Sequence, residues 1–366
     1  GTGTGTGTRR GRRDDADKRN VVHLGMLSGG RIVAEQARRG PSSRSIAFSG
    51  GVTLAVAGLL VGLLLSRSAS PDQAAPCTGG SLSLIGSTAF SPVAQQLAGA
   101  YATGCAAAHI TVPSSNNGSL NGLAGLAAAG RGGKASGVIA MSDGPAPTGP
   151  AYAGIAGQAA AVIIFTMAVN ADAGVYNLTT GQVRQIFDGQ ITNWRTITHG
   201  ASLPVRIISR EPGSGTRETF DKYVLGGAAE QAGTKSACNG QSLPSAPVIW
   251  CTDSTTKLLQ VVADIPGAIG YAQAGDVTAY TGGGITAVSL DGLSGRFGDI
   301  GRNAGTYPFW TAEYLYTYGK PSPLASAFIA RLASPSGISD LTAAGYAPCP
   351  EGGSSRAAAL CAQAGG

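Results

Sequence analysis

Charge is scarce in this sequence, at 13% of residues, and histidine and methionine each occur three times. No two cysteines have CxxC spacing, which argues against a structural zinc site or thioredoxin-type chemistry. The 57 glycines and 19 prolines follow no Gly-X-Y period, so a collagen-like rod is excluded and many tight turns are expected instead. A hydrophobic content of 43% excludes a wholly disordered chain. At 366 residues the chain exceeds one modest domain, so two lobes or domains around sizeable cores are expected. The net charge of +6 is absent from most of the molecule: residues 1–45 hold ten basic side chains against four acidic, and the rest balance at sixteen against sixteen. A nucleic-acid-binding body would carry its excess charge on the folded part. This body is neutral, and that class is set aside.

Only one long apolar run is present. Ile46 to Leu65 is twenty residues without a charge, enough as a helix to cross a hydrocarbon core of roughly 30 Å. Arg38, Arg39 and Arg44 precede it and Arg67 follows, so the positive-inside bias places the N-terminus in the cytoplasm and everything after Ser66 outside the cell. A cleaved secretory signal is the alternative, although a basic leader of this length is long for one and no small-x-small site follows. The expected organisation is a disordered basic cytoplasmic tail (1–45), a transmembrane helix (46–66) and a linker (67–77) before the folded lobes. All six cysteines fall after the span, which points to an oxidising compartment. Nearest-neighbour pairing predicts Cys77 with Cys105, Cys238 with Cys251, and Cys349 with Cys361.

From residue 81 onward, short apolar runs alternate with helical patterns, the signature of an α/β architecture. Strands are predicted at 81–85, 110–112, 138–141, 161–167, 205–209 and 268–271, and helices at 92–102, 120–129, 180–187, 216–224, 254–264 and 323–332. Ligands of open α/β sheets sit beyond the carboxyl ends of the strands. Four segments there consist of small polar residues: Gly86-Ser87-Thr88-Ala89-Phe90, Asn116-Asn117-Gly118-Ser119, Ser142-Asp143-Gly144, and Ser209 to Arg217. Most run into a helix, where unpaired N–H groups and the helix dipole favour an anion. Ser214, Gly215 and Thr216 offer backbone N–H groups and two hydroxyls, and Arg210 or Arg217 a charged fork. An ordinary N-cap explains any single such loop; four on one chain are harder to dismiss. Asp143 would repel an anion unless that anion carries a proton to donate. Phosphate at neutral pH does, and sulfate does not. Capping a turn is the bland alternative for Asp143.

Several longer motifs carry a resemblance: LIGSTAFSP, NNGSLNGL, MSDG, LTTGQVRQIFDGQITNW running into LPVRIISREPGSGTRETF, IPGAIGYA, and YPFWTAEYLYTYGKPSPLASAFIARL. In this order, from about Ser81 to Ser334, they resemble the phosphate-binding proteins of ABC transporters, within the type II periplasmic-binding-protein family. The resemblance implies two α/β lobes joined by two crossover strands, with one phosphate in the cleft between them. The expected lobes are 78–168 with 273–366, and 169–272, hinged near Val169 and Ala272. It implies Thr88, Ala89, Phe90 (as a backbone donor), Ser119, Asp143, Arg210, Ser214, Gly215 and Thr216 as the phosphate-binding set. Pro212 and Ala89 depart from the family pattern. The implied partners are inorganic phosphate and separate ABC permease and ATPase subunits, with the membrane reached through the N-terminal helix. The protein is expected to be a monomer with no cofactor and no enzymatic activity.

Other classes fit less well. A serine hydrolase using Ser214 would need a glycine two positions earlier for the nucleophile elbow, where Pro212 stands. His109 and His199 are its only candidate bases on the outer side. Gly133-Lys134 is followed by Ala135, so the P-loop pattern fails and the chain cannot drive transport itself. A phosphate or oxyanion sensor built on the same lobes, using the basic tail for signalling, is the stronger rival. The aromatic run from Tyr307 to Tyr318 suggests a stacking platform for sugars or bases, but the alternation of Tyr314, Tyr316 and Tyr318 favours a strand face.

Overall fold

The computed structural model describes Gly1 and residues 77–113, 118–230, 250–252, 254–280, 282–350 and 355–364. The expected tail, transmembrane helix and nearly all of the linker lie outside the described residues, as do Asn116, Asn117 and Cys238. Among the described residues no helix is long and apolar enough to cross a membrane.

In chain order the strands are β1 (Gly80–Gly86), β2 (Ala108–Thr111), β3 (Val138–Asp143), β4 (Ile155–Asn170), β5 (Asn177–Leu178), β6 (Arg206–Arg210), β7 (Trp250–Thr252), β8 (Ala268–Gln273), β9 (Ile285–Leu290), β10 (Trp310–Tyr318) and β11 (Ala347–Pro348). The first five helices are α1 (Ser91–Gly104), α2 (Ser119–Arg131), α3 (Thr180–Phe187), α4 (Arg195–Thr198) and α5 (Gly215–Tyr223). Local chemistry sets several boundaries. Thr179 and Gln182 form a reciprocal capping box at the start of α3. Ser322 accepts from the Ala325 N–H, with Pro323 in the first turn of the helix Pro323–Leu332.

Eight of these strands follow one path, β2-β1-β3-β10-β4-β8-β6-β7, and β5, β9 and β11 lie off it. Parallel β2-β1-β3, closed by antiparallel β10, forms the first lobe. Parallel β8-β6-β7 forms the second. β4 belongs to both. Its residues Ile155 to Ile164 pair with β10, and Phe165 to Val169 pair with β8. A 16-residue strand whose partner changes halfway is a crossover between lobes, and it extends well beyond the predicted 161–167.

The return crossover differs from the expectation. β9 was assigned to the first lobe, yet it pairs with β5 and with Met167 to Asn170, at the second-lobe end of β4. The chain rejoins the first lobe only at Trp310, where β10 begins, so the change of lobe moves from Ala272 to the segment around Phe309. The outgoing change falls at Ile164 and Phe165 rather than at Val169. Aromatic packing fills this junction: Phe309 lies 5.1 Å from Phe165 and 5.4 Å from Phe220, whose ring stacks on Tyr271 at 4.3 Å. Tyr307, Phe309 and Trp310 have no exposed surface, so they form core and not a stacking platform. Cys77 is bonded to Cys105, and Cys349 to Cys361. Cys251 is also disulfide-bonded, and its expected partner Cys238 lies outside the described residues.

Candidate anion site

Strand ends and helix starts from both lobes meet at one buried cluster. Asp143 is the last residue of β3, Ser119 the first of α2, and Arg210 the last of β6. Ser214 caps α5, which begins with Gly215 and Thr216. This is the strand-to-helix geometry that leaves N–H groups free to meet a ligand. Thr88, Ser119, Asp143, Arg210, Ser214 and Thr216 are all less than a tenth exposed.

Contacts across the cluster join the lobes. Thr216 Oγ1 donates to Asp143 Oδ2 at 2.7 Å. Arg210 Nη2 donates to Thr88 Oγ1, while within the second lobe its Nη1 donates to Thr255 Oγ1 at 3.3 Å. The Leu120 N–H donates to the Gly213 carbonyl at 3.0 Å. Within the first lobe, Ser87 Oγ donates to Asp143 Oδ1, and the Asp143 N–H donates to Ser119 Oγ at 3.0 Å, leaving the Ser119 O–H able to donate. Gly215 fits because it has no side chain. A Cβ there would stand 2.4 Å from Ser119 Oγ and 2.7 Å from the Asp143 carbonyl oxygen, closer than real Cβ contacts come.

The structure therefore brings Thr88, Ser119, Asp143, Arg210, Gly215 and Thr216 together. Ser214 acts as a cap, its Oγ accepting from the Arg217 N–H at 3.4 Å. Ala89 and Phe90 are core residues; the Phe90 N–H donates to Ser87 Oγ at 3.0 Å, and the Ala89 carbonyl accepts from the Tyr346 hydroxyl at 2.8 Å. Arg217, the alternative fork, turns into the second lobe, where its guanidinium donates to the Arg210 carbonyl at 2.8 Å and pairs with Glu230 at 3.7 Å. Asp221, 3.9 Å from Arg217, is nevertheless pushed up to about 7, chiefly by burial and then by the charge of Glu230.

Ser87, Thr255 and Glu313 lie at or beside the cluster but outside the expected binding set. Ser87 lay inside the first quoted loop, one position before Thr88. Thr255 opens a helix after a strand, the same signal as the other loops. Glu313 had no local signal; only the register of β10 against β3 sets it opposite Asp143.

A cavity of about 250 Å³ opens beside Asp143, lined by Ser119, Ser142, Gly215, Thr219 and Tyr223 among others. A larger one of about 1010 Å³, between Pro92, Ile164, Arg296 and Tyr346, contains none of the converging hydroxyls. Convergent polar groups, not volume, mark the site. A hydrolase finds no support in this geometry: His109 and His199, the histidines among the described residues, are exposed on β2 and at the end of α4.

The PBP superfamily domain matches residues 71–336, and the chain belongs to that superfamily. The phosphate-binding protein PstS of Bacillus subtilis (strain 168) is 33% identical over 174 residues, 48% of this chain and 51% of that protein, so the match spans about half of the relative's length. A substrate-binding protein assigned to a phosphate ABC transporter of Clostridium perfringens, solved with bound phosphate, is 24% identical with a TM-score of 0.58, covering 74% of this chain and 99% of its own. A phosphate-binding protein from Stenotrophomonas maltophilia is 15% identical with a TM-score of 0.52, covering 74% and 91%. These two solved structures share the fold.

Proposed function

We propose that this member of the PBP superfamily is an extracellular solute-binding protein that captures inorganic phosphate between its lobes and hands it to an ABC permease. The carrying observation is Asp143, a buried carboxylate placed among the hydroxyls of Ser87, Ser119 and Thr216, with Ser87 next in sequence to the Thr88 that Arg210 holds. The hydroxyls and Arg210 suit a tetrahedral anion, and a carboxylate among them is tolerable when that anion donates a proton to it. Each charge-assisted bond contributes roughly 1.5–3 kcal/mol, so a handful suffices for micromolar or tighter binding after ordering costs.

The phosphate-binding names of the relatives support the same ligand, and the disulfides support an oxidising compartment. The binding lobes act as a monomer, tethered by the apolar run Ile46 to Leu65 with the basic tail inside the cell. Separate permease and ATPase subunits supply the pathway and the energy, and no covalent step occurs in this chain. Closure by rotation about the two crossovers buries the anion and changes the surface offered to the permease. Titration calorimetry of the full chain with phosphate and sulfate tests the reading. Phosphate is expected to bind at least tenfold more tightly; equal affinities overturn the proton-donor argument, and no phosphate heat overturns the function.

A further inference from the structure

Glu313 sits within β10 with no exposed surface, and neither carboxyl oxygen makes a well-formed hydrogen bond among the described residues, although the Ser87 hydroxyl and the Ser142 backbone lie near enough to oppose in part the effect of burial. Antiparallel register places it directly opposite Asp143. Directly opposed residues project to the same face, with Cβ atoms about 4.5–5.5 Å apart. Two buried carboxyl groups thus stand side by side at the anion site, and two like charges so close cannot both be sustained. Their partners decide which keeps a proton. Asp143 accepts hydrogen bonds from Ser87 and Thr216, which suit the ionised form.

The surroundings of Glu313 reinforce the asymmetry. Asp143 is the one charged residue of β3, and β4, which places Ala161 beside Glu313, has none. The helices packed on β10, α2 and Arg356–Ala364, carry charge only at Arg131 and Arg356, both exposed. Tyr316 on the same strand and Tyr346, which donates to the Ala89 carbonyl, stay neutral, their hydroxyls raised first by burial. Burial, followed by the charge of Asp143, likewise holds the Glu313 carboxyl well above the ordinary carboxylate range.

We propose that Glu313 is a positioning residue of the anion site, held as the neutral acid beside ionised Asp143 so that the pair presents a single negative charge to the ligand. This rests on the phosphate reading and adds a pH limit to it. While Glu313 keeps its proton, the site accepts phosphate. Once it ionises, a second carboxylate stands against the anion and affinity falls.

The test compares the full chain with Glu313→Gln, which has the same shape and cannot ionise. Infrared difference spectra of the two ligand-free proteins near neutral pH should show a protonated-carboxyl C=O band present in the parent and absent in the variant. Phosphate affinity is then measured from about pH 8.5 to 10, where free phosphate is almost entirely the monohydrogen dianion. In the parent it should decline by up to about tenfold per pH unit as the infrared band bleaches, and in the variant the profile should be flat. A missing band overturns the proposal, and so do parallel affinity profiles. Failure of both proteins to bind phosphate at any pH overturns the phosphate reading instead, and the ligand-independent band distinguishes that case.

Discussion

Among the described residues each lobe buries one glutamate, and the two are treated in opposite ways. Glu230, in the second lobe, accepts from Ser209 and Tyr271 and lies 3.7 Å from the Arg217 guanidinium. Burial raises its carboxyl, and the strongest opposing influence is the charge of Arg217. Glu313, in the first lobe, has burial and the charge of Asp143 acting against ionisation, and no cation among the groups that act on it. A buried acid with a cation and two hydroxyl donors is architecture: it fixes β6, β8 and the start of α5 relative to one another. A buried acid beside another acid, with no cation to offset its charge, is a cost to folding that a ligand site can justify. The lobes also differ in what they bring to the cluster: the first contributes Asp143 and the second Arg210, so the site proposed above needs both.

Three variants probe this division, beginning with the largest effect. Glu230→Ala takes from buried Arg217 one of its two carboxylate neighbours and from Ser209 and Tyr271 their shared acceptor, and global stability should fall by about 3–5 kcal/mol, read from denaturant unfolding. Any residual folded protein should keep its preference for phosphate over sulfate. A loss below about 1 kcal/mol would show that the network is not structural. Arg210→Ala removes the second lobe's cation and should weaken binding of every oxyanion by about 2–3 kcal/mol, or 30- to 150-fold, as measured by calorimetry. Selective loss of phosphate alone would place discrimination in the wrong lobe. Asp143→Asn has the smallest effect on affinity and the largest on choice, and is taken up below.

Much of this division was legible in the residues. Thr180–Phe187 and Pro323–Leu332 match their predicted limits because Thr179, Gln182, Ser322 and Pro323 mark the helix starts. The four polar loops were recognisable, and they supply most of the cluster. The first half of β4 was missed because Ala156 to Ala160 has neither apolar alternation nor branched residues; pairing with β10 makes it a strand. The return crossover was misplaced because β9 looks like any half-buried strand, and only its pairing with β5 and β4 assigns its lobe. Glu313 is a single acid in an aromatic run, which in isolation reads as a solvent-facing position. Its opposition to Asp143 depends on strand register across 170 residues, which no local pattern carries.

Asp143→Asn bears most directly on the central claim, because the amide keeps the size of the side chain and gives it a donor in place of an acceptor. Calorimetry of the parent and this variant with phosphate and sulfate gives one ratio for each. The account predicts that the ratio of phosphate to sulfate affinity collapses by about tenfold or more in the variant, through weaker phosphate and stronger sulfate binding. An unchanged ratio would contradict it, since the carboxylate would then not be reading the proton on the anion.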